Sequence, residues 1–141
     1  MAETVQFDLV SPERKLLSTA AQSVRLPGAE GDMTALPDHS PLISTLRPGI
    51  VGVASGEGEQ EFVVTGGFVE ISPDSIVVLA EQAVPRADMT QDHFDTMIAE
   101  ANDRLRRAQE SYQNEPGPVD EAAKLLADMV AVGGEIGLNA D

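Results

Sequence analysis

From the N-terminus to about Arg86, apolar and polar residues alternate in short runs, which is the period of two that β-strands have. Gly, Pro, Ser and Asp cluster between these runs and supply turn chemistry. The predicted strands are 5–10, 23–26, 49–55, 61–71 and 75–80. Because no helical pattern separates them, βαβ units are not expected, and the close spacing favours a β-sandwich or barrel.

Two short segments of this half indicate particular backbone conformations. The sequence SPDS joins FVEI to IVVL, and it predicts a hairpin because Pro73 presets φ and Asp74 tolerates the next turn position. The pair Gly66-Gly67 interrupts an otherwise continuous strand pattern. Such a pair indicates a bulge or a close approach of two backbones.

Beyond Asp88 the apolar residues recur at steps of three and four, which predicts an amphipathic helix over about 90–113. Thr90 is its expected N-cap. The apolar stripe is Phe94, Met97, Ile98, Ala101, Leu105, Ala108 and Tyr112.

Pro116-Gly117-Pro118 stops this helix, and a second one is predicted over about 119–132. Gly133-Gly134 is expected to end the second helix as a C-cap. Its stripe is Ala122, Leu125, Leu126, Met129 and Val130. The short connection makes an antiparallel helical hairpin, so the chain divides into domains 1–86 and 87–141, the second with a short tail.

Composition narrows the possible functions. The 141 residues contain 24 acids, nine bases and no cysteine, which gives a net charge of −15 and excludes disulfides and thiolate chemistry. An acidic chain without Trp is a poor match for nucleic acid or anionic lipid. No apolar run reaches the ~20 residues that a membrane span needs, and the start MAETVQFDLVSPERK lacks signal-peptide features. No direct membrane insertion is therefore expected.

The segment GAEGDMTALPDHSPLI, residues 28–43, places His39 near Glu30, Asp32 and Asp38. Catalysis or metal binding there would need a second group of converging residues. The chain has no GxxxxGK[ST], GxGxxG, GxSxG or HExxH motif, and His93 lies in the other half. The sequence therefore predicts no catalytic residues and no metal site.

The densest group of basic residues is Arg104, Arg106 and Arg107. One interpretation is a solvated helix face supported by the i,i+4 pairs Glu100–Arg104 and Asp103–Arg107. The other is a contact with an acidic partner or a phosphate.

Ordered blocks span nearly the whole chain: FDLVSPE, VRLPGAEGDMTALPDHSPLI, LRPGIV and FVVTGGFVEISPDSIVVLAE, followed by the helical pair. This order closely resembles the epsilon subunit family of the bacterial F-type ATP synthase. The resemblance implies a β + α fold, in which an N-terminal antiparallel β-sandwich precedes a C-terminal antiparallel two-helix hairpin. It also implies a non-catalytic subunit of a proton-transporting ATPase.

The family's role is that of a central-stalk rotor subunit that couples proton flow to ATP synthesis. The implied partners are the gamma subunit and the membrane rotor ring of c subunits, with transient contacts to the alpha and beta subunits and none to nucleic acid. The implied location is peripheral, at the cytoplasmic face of the bacterial inner membrane. In the family, the segment matching Glu30, Gly31 and Asp32 faces the rotor ring, and the segment matching His39 lies close to gamma and the ring. The four residues are expected to form one docking edge.

Two departures from the family pattern concern regulation. The family's ATP motif, Ile/Leu-Asp-x-x-Arg-Ala, falls on Met89, Thr90 and His93 here, so ATP binding is expected to be weak or absent and no cofactor is predicted. The second helix carries only Lys124 as a basic residue and meets a glycine pair, which predicts a compact hairpin that inhibits ATP hydrolysis poorly.

Two other functions compete with the rotor subunit. A free-standing β-sandwich could bind a small ligand or a divalent cation, given its 24 acids. A small hydrolase would be centred on His39.

Overall fold

The computed structural model describes residues 3–138 and divides the chain into two compact units, Met1–Ala87 and Asp88–Asp141. The first unit is built from strands and the second from helices. The predicted division at 86/87 lies one residue from this boundary.

Nine strands form within the described part of the first unit, followed by a 3₁₀ turn over Arg86–Asp88. The strands are β1 Val5–Val10, β2 Lys15–Gly28, β3 Gly31–Ala35, β4 Leu42–Leu46, β5 Gly49–Ser55, β6 Gly58–Val64, β7 Gly67–Ile71, β8 Ser75–Ala80 and β9 Ala83–Pro85.

The long strand β2 belongs to two layers. Its first half pairs with β1, and its second half pairs with β3 and β5. One layer continues from β1 through β8 and β7 to β4, and the other from β5 through β6 to β9. All neighbours are antiparallel except β1 and β8, which run parallel. This arrangement is the predicted sandwich, with one parallel pair that the sequence pattern did not indicate.

The core lies between the layers. Inward residues of eight strands pack there, and Phe7, Leu9, Val24 and Val78 are completely buried. The described chain buries no polar or charged residue, so burial of apolar surface accounts for the stability of this core.

Gly66-Gly67 separates two strands rather than interrupting one. Both glycines have positive φ, 134° and 136°, and the predicted strand 61–71 divides here into β6 and β7. A Cβ on Gly67 would overlap the carbonyl oxygen of Leu79 on the neighbouring strand, so the close backbone approach is confirmed at this position. The SPDS hairpin is also confirmed, with Ile71 opposite Ile76 and the Ser72 N–H donating to the Ser75 carbonyl at 2.8 Å.

The second unit contains α1 Gln91–Ser111 and α2 Pro116–Ile136. The ring of Phe94, near the start of α1, packs against Gly133, near the end of α2, so the helices are antiparallel. The buried cluster between them is Phe94, Met97, Ile98, Ala101 and Met129.

The second helix is longer than the predicted 119–132. It begins at Pro116 because proline fits the first helical turn, where its missing N–H has no intrahelical acceptor. It continues through Gly133-Gly134 to Ile136, and Gly137, its C-cap, adopts the left-handed conformation with φ 80°. The expectation that Gly133-Gly134 caps the helix is therefore wrong. Gly133 is instead the position where the absence of a Cβ lets the Phe94 ring approach the helix. Val130, expected on the buried stripe, is 44% exposed.

Candidate functional site

The segment that begins at Gly28 forms a hairpin rather than an irregular loop. β2 and β3 pair from Val24–Ala35 to Gly28–Gly31, and Ala29 and Glu30 form the tip. Gly31 has φ 148°, and a Cβ on Gly28 would lie 2.6 Å from the Gly31 carbonyl oxygen. Glycines at these two positions permit the narrow turn that presents Glu30 to solvent.

Arg47 connects this hairpin to the rest of the sandwich through hydrogen bonds and an ion pair. The sequence reasoning missed this role of Arg47. Its guanidinium donates to the carbonyl oxygen of Gly28 through Nη1 and forms an ion pair with Asp32 through Nη2. Its backbone N–H donates to Pro27 at 2.9 Å, and the Ala29 N–H donates to Thr45 at 3.0 Å. The LRPG block contained the residue, but only the register shows that positions 15 residues apart meet.

His39 lies at a different place from Glu30, Gly31 and Asp32. The hairpin tip is next to Leu46, the last residue of β4, whereas the loop before β4 reaches the β7–β8 turn through the Asp38 N–H and the Pro73 carbonyl, 2.9 Å apart. The two places are separated by the length of β4, roughly 13 Å. The four residues therefore lie at two places of the sandwich, and which partner each place contacts stays a prediction.

The surroundings of His39 suit a loop residue. The side chain is half-buried, and its Nδ1 donates to the carbonyl oxygen of the adjacent Ser40 at 2.6 Å. Within residues 3–138, no group of three His, Asp or Glu side chains is arranged to hold a metal ion.

An exposed apolar patch covers the outer face of the β4–β7–β8 layer. Ile43, Phe68 and Leu79 are 73%, 55% and 51% exposed. Phe68 pairs directly with Leu79, and Ile43 lies diagonally across from Phe68, within reach of its ring. The sequence reasoning missed this patch. The signal was present in FVEI, where Phe68 shares a face with Glu70 while Val69 and Ile71 point to the core.

The positions of the family's ATP motif have structural roles at the start of α1. The Thr90 hydroxyl accepts from the His93 N–H at 3.1 Å, which confirms Thr90 as the N-cap. Met89 packs against the cluster that contains Phe94, the arrangement of a hydrophobic staple. The His93 side chain is exposed.

The three arginines of α1 lie on its exposed face. Arg107 pairs with Asp103 at 2.9 Å, and Arg106 pairs with Asp103 and Glu110. The hydrogen bond with Asp103, followed by the charges of Asp103 and Glu110, raises the pKa of Arg106. Arg104 makes no ion pair among the described residues, so the expected Glu100–Arg104 pair is not formed there.

Arg104 and Arg107 line an open cleft of about 450 Å³ at the loop end of the helical hairpin, together with Tyr112 and Glu121.

Neither helix of the described chain has the combination of length and hydrophobicity that crossing a membrane requires.

Comparison with known proteins gives a consistent result. Residues 4–86 match the family model described as ATP synthase, Delta/Epsilon chain, beta-sandwich domain. The ATP synthase epsilon chain of Paracoccus denitrificans (strain Pd 1222) is 54% identical over 140 residues, which cover 99% of this chain and 95% of that protein. The ATP synthase epsilon chain of Ruegeria sp. (strain TM1040) is 53% identical over 138 residues, covering 98% and 100%.

Solved structures of low identity share the fold. A chain in the Euglena gracilis mitochondrial ATP synthase, OSCP/F1/c-ring in rotational state 1, aligns with a TM-score of 0.67 at 18% identity, covering 91% of this chain and 78% of that one. A chain of the Tetrahymena thermophila mitochondrial ATP synthase central stalk and c-ring aligns with a TM-score of 0.62 at 14% identity, covering 93% and 94%.

Proposed function

The chain belongs to the delta/epsilon family of ATP synthase, and we propose on that basis how its surfaces serve the complex. It is an epsilon chain, a component of the central stalk of a proton-translocating F-type ATP synthase. In this role it joins the gamma subunit to the rotor ring of c subunits, contacts alpha and beta transiently, and couples proton flow to ATP synthesis. It contributes no catalytic residue of its own, and it acts as a peripheral subunit at the cytoplasmic face of the bacterial inner membrane. The family assignment favours this role over a free-standing ligand-binding sandwich or a His39 hydrolase.

The observation that carries the gamma contact is the apolar patch. Ile43, Phe68 and Leu79 expose large side chains on one face of a sheet whose core is already complete without them. Aromatic and aliphatic side chains at the centre of an interface supply most of its binding free energy. We therefore assign this face to the gamma subunit, and its apolar area would carry the torque-bearing contact.

The β2–β3 hairpin supports a second contact, with the ring. Glu30 is exposed at the tip and Asp32 is 81% exposed beside it. Carboxylates at an interface rim attract a basic partner surface and fix orientation more than affinity. His39 belongs to a different end of the sandwich, and its loop continues into β4, which carries Ile43, so it fits the gamma contact rather than the ring contact.

Substitutions in the patch test the gamma assignment. Phe68→Asp and Leu79→Asp should each weaken binding to purified gamma by about tenfold or more, because each places a carboxylate in an apolar contact. Thr34→Asp is the matched control, since Thr34 is exposed on β3 in the other layer. Circular dichroism should report a folded sandwich for all three variants. Gamma affinities equal to that of the unmodified chain for both patch variants would overturn the assignment.

The start of α1 supports weak or absent ATP binding. Thr90 and Met89 are used as the cap and staple of the helix, and His93 supplies no permanent cation for phosphate. Isothermal titration calorimetry with MgATP should give no measurable heat for the chain as it stands. The double variant Thr90→Asp/His93→Arg restores the motif residues and should bind more tightly, since Asp also caps a helix. Micromolar ATP binding by the unmodified chain would contradict the proposal.

The charge of α2 supports weak inhibition of ATP hydrolysis. Lys124 is the one basic residue of this helix, and it already pairs with Asp128 at 2.9 Å. The glycine pair no longer supports this prediction, because the helix runs through it. Deleting residues 88–141 should leave the hydrolysis rate of the assembled complex nearly unchanged. A large rise in hydrolysis on deletion would show that the hairpin is an effective inhibitor. The same assay on Arg104→Ala would test the alternative that this arginine contacts an acidic partner.

A further inference from the structure

The contacts of Arg47 connect three separate segments at the base of the β2–β3 hairpin. One guanidinium nitrogen donates to Gly28 at the end of β2, and the other pairs with Asp32 in β3. Arg47 itself lies in the turn between β4 and β5. A guanidinium presents its donors in a rigid fork, so two acceptors held at once fix the hairpin relative to the turn.

The two acids of the β2–β3 hairpin differ in whether they pair with Arg47. Asp32 shares its charge with Arg47, and the two together are neutral. Glu30 makes no ion pair or side-chain hydrogen bond among the described residues, so the tip presents one uncompensated carboxylate. A basic partner surface would therefore be attracted by Glu30 more than by Asp32.

We propose that Arg47 is a positioning residue, which holds the hairpin through Gly28 and Asp32 so that Glu30 is the acid that contacts the basic surface of the rotor ring. The proposal rests on the ring contact argued above and names the residue that makes it. It changes the role of Asp32 from a contact residue to a part of the support.

The direction in which Arg47→Ala changes the affinity for the ring distinguishes a positioning role from a purely electrostatic one. Arg47 carries the charge that a basic partner repels, so removing it should tighten binding if charge alone matters. If Arg47 holds the hairpin, Arg47→Ala should weaken binding despite removing a repulsive charge. Arg25→Ala is the matched control, because Arg25 is an exposed arginine of the same sandwich paired with Glu59 and Glu61 instead.

The binding experiment uses the full chain and the detergent-solubilised c-ring of the same complex at low salt. Glu30→Gln should weaken binding about two- to fivefold, as expected for one rim charge. Asp32→Asn should have a smaller effect, because its Oδ1 can still accept from Arg47. Arg47→Ala should weaken binding. The affinity of Arg47→Lys should lie between those of the unmodified chain and Arg47→Ala, since one ammonium group cannot reproduce the two-pronged donor geometry of a guanidinium. Arg25→Ala should leave the affinity unchanged or slightly raised.

Amide hydrogen exchange on the free chain supplies a readout that does not depend on the ring. The Ala29 N–H, bonded to Thr45 at 3.0 Å, and the Arg47 N–H, bonded to Pro27 at 2.9 Å, report the attachment of the hairpin. Arg47→Ala should speed exchange of both on the order of tenfold, and Arg25→Ala and Glu30→Gln should not.

Three results would overturn the proposal: unchanged exchange in Arg47→Ala, ring binding by Arg47→Ala as tight as that of the unmodified chain, or a larger loss for Asp32→Asn than for Glu30→Gln. If the unmodified chain does not bind the ring, the proposed ring contact fails together with the role of Glu30. The exchange data then still decide whether Arg47 holds the hairpin.

Discussion

Phe7 in the sandwich and Phe94 in the helical unit are both completely buried, but their surroundings differ. Phe7 belongs to a cluster of 17 buried residues from eight strands. Phe94 belongs to a cluster of five, from two helices. The sandwich thus spreads its stability over many long-range pairings, whereas the hairpin depends on a few side chains of one seam. Small units with little buried apolar area are marginally stable, so a single loss is more serious in the second unit.

The surfaces of the two units differ as well. The sandwich exposes a three-residue apolar patch on a sheet, while the exposed face of α1 is covered by ion pairs between neighbouring turns. A rigid sheet holds exposed apolar side chains in fixed positions, which suits a permanent contact. The small helical core suits a unit whose packing can change at low cost. This comparison can be tested by substitutions matched between the units.

The largest expected effect comes from removing each buried ring. Phe94→Ala and Phe7→Ala should each cost about 3–5 kcal/mol, from lost burial and the cavity left behind. The consequence should differ: Phe94→Ala should abolish the helical signal at 222 nm, and Phe7→Ala should lower the melting temperature of a sandwich that still folds at 20 °C. Thermal unfolding followed by circular dichroism measures both. If both variants keep their folded signal at 20 °C, or both lose it, the two units do not differ in stability as argued.

The next effect concerns the adjacent glycines of α2: replacing each with alanine should change the stability of the helical unit in opposite directions. A Cβ on Gly133 would overlap the Phe94 ring, so Gly133→Ala should destabilise the hairpin by about 1–3 kcal/mol. A Cβ on Gly134 meets nothing within 4 Å, so Gly134→Ala should stabilise it by up to about 1 kcal/mol through helix propensity. Denaturant midpoints of the two variants give the comparison. Stabilisation by both would mean that Phe94 does not pack against this helix as described.

A smaller effect is expected at the N-cap of α1. Thr90→Ala removes the acceptor of the His93 N–H and should cost the hairpin about 1 kcal/mol. Thr90→Asp is the control that keeps an acceptor and should change stability by only a few tenths of a kcal/mol. The midpoint of the sandwich should not move in either variant. A shift of the sandwich midpoint of the same size would indicate that the two units unfold together.

The smallest effect is a pH dependence in the sandwich. The hydrogen bond from Ser18 lowers the pKa of Asp8, and contacts with Gln6 and Lys15 act in the same direction against partial desolvation. A carboxylate with a lowered folded-state pKa stabilises the fold above its unfolded pKa of about 3.9 and loses that contribution as the pH falls through the folded value. The stability difference between the unmodified chain and Asp8→Asn should therefore shrink below about pH 4. A difference that grows on acidification would contradict this sign.

Local patterns along the chain determine much of the architecture. The change from a period of two to steps of three and four located the boundary near Arg86, and SPDS and Thr90 identified a hairpin turn and a cap. These features depend on residues within four positions of each other, so the amino-acid order is sufficient for them. The strands β3, β4 and β9 were not predicted, because runs of three to five residues with exposed positions give little periodicity.

Tertiary structure alone decided the contacts on which the proposed roles rest. Pairing in register brought Arg47 to Asp32 and placed Phe68 beside Leu79, and it separated His39 from Glu30 although the two lie nine positions apart in the chain. Helix packing placed Gly133 under the Phe94 ring and so turned an apparent stop signal into a contact. The sequence determined the type of the longer elements and the turn and cap residues between them, because those choices are local. The structure decided which residues meet, because pairing across a sheet or between helices depends on register and packing.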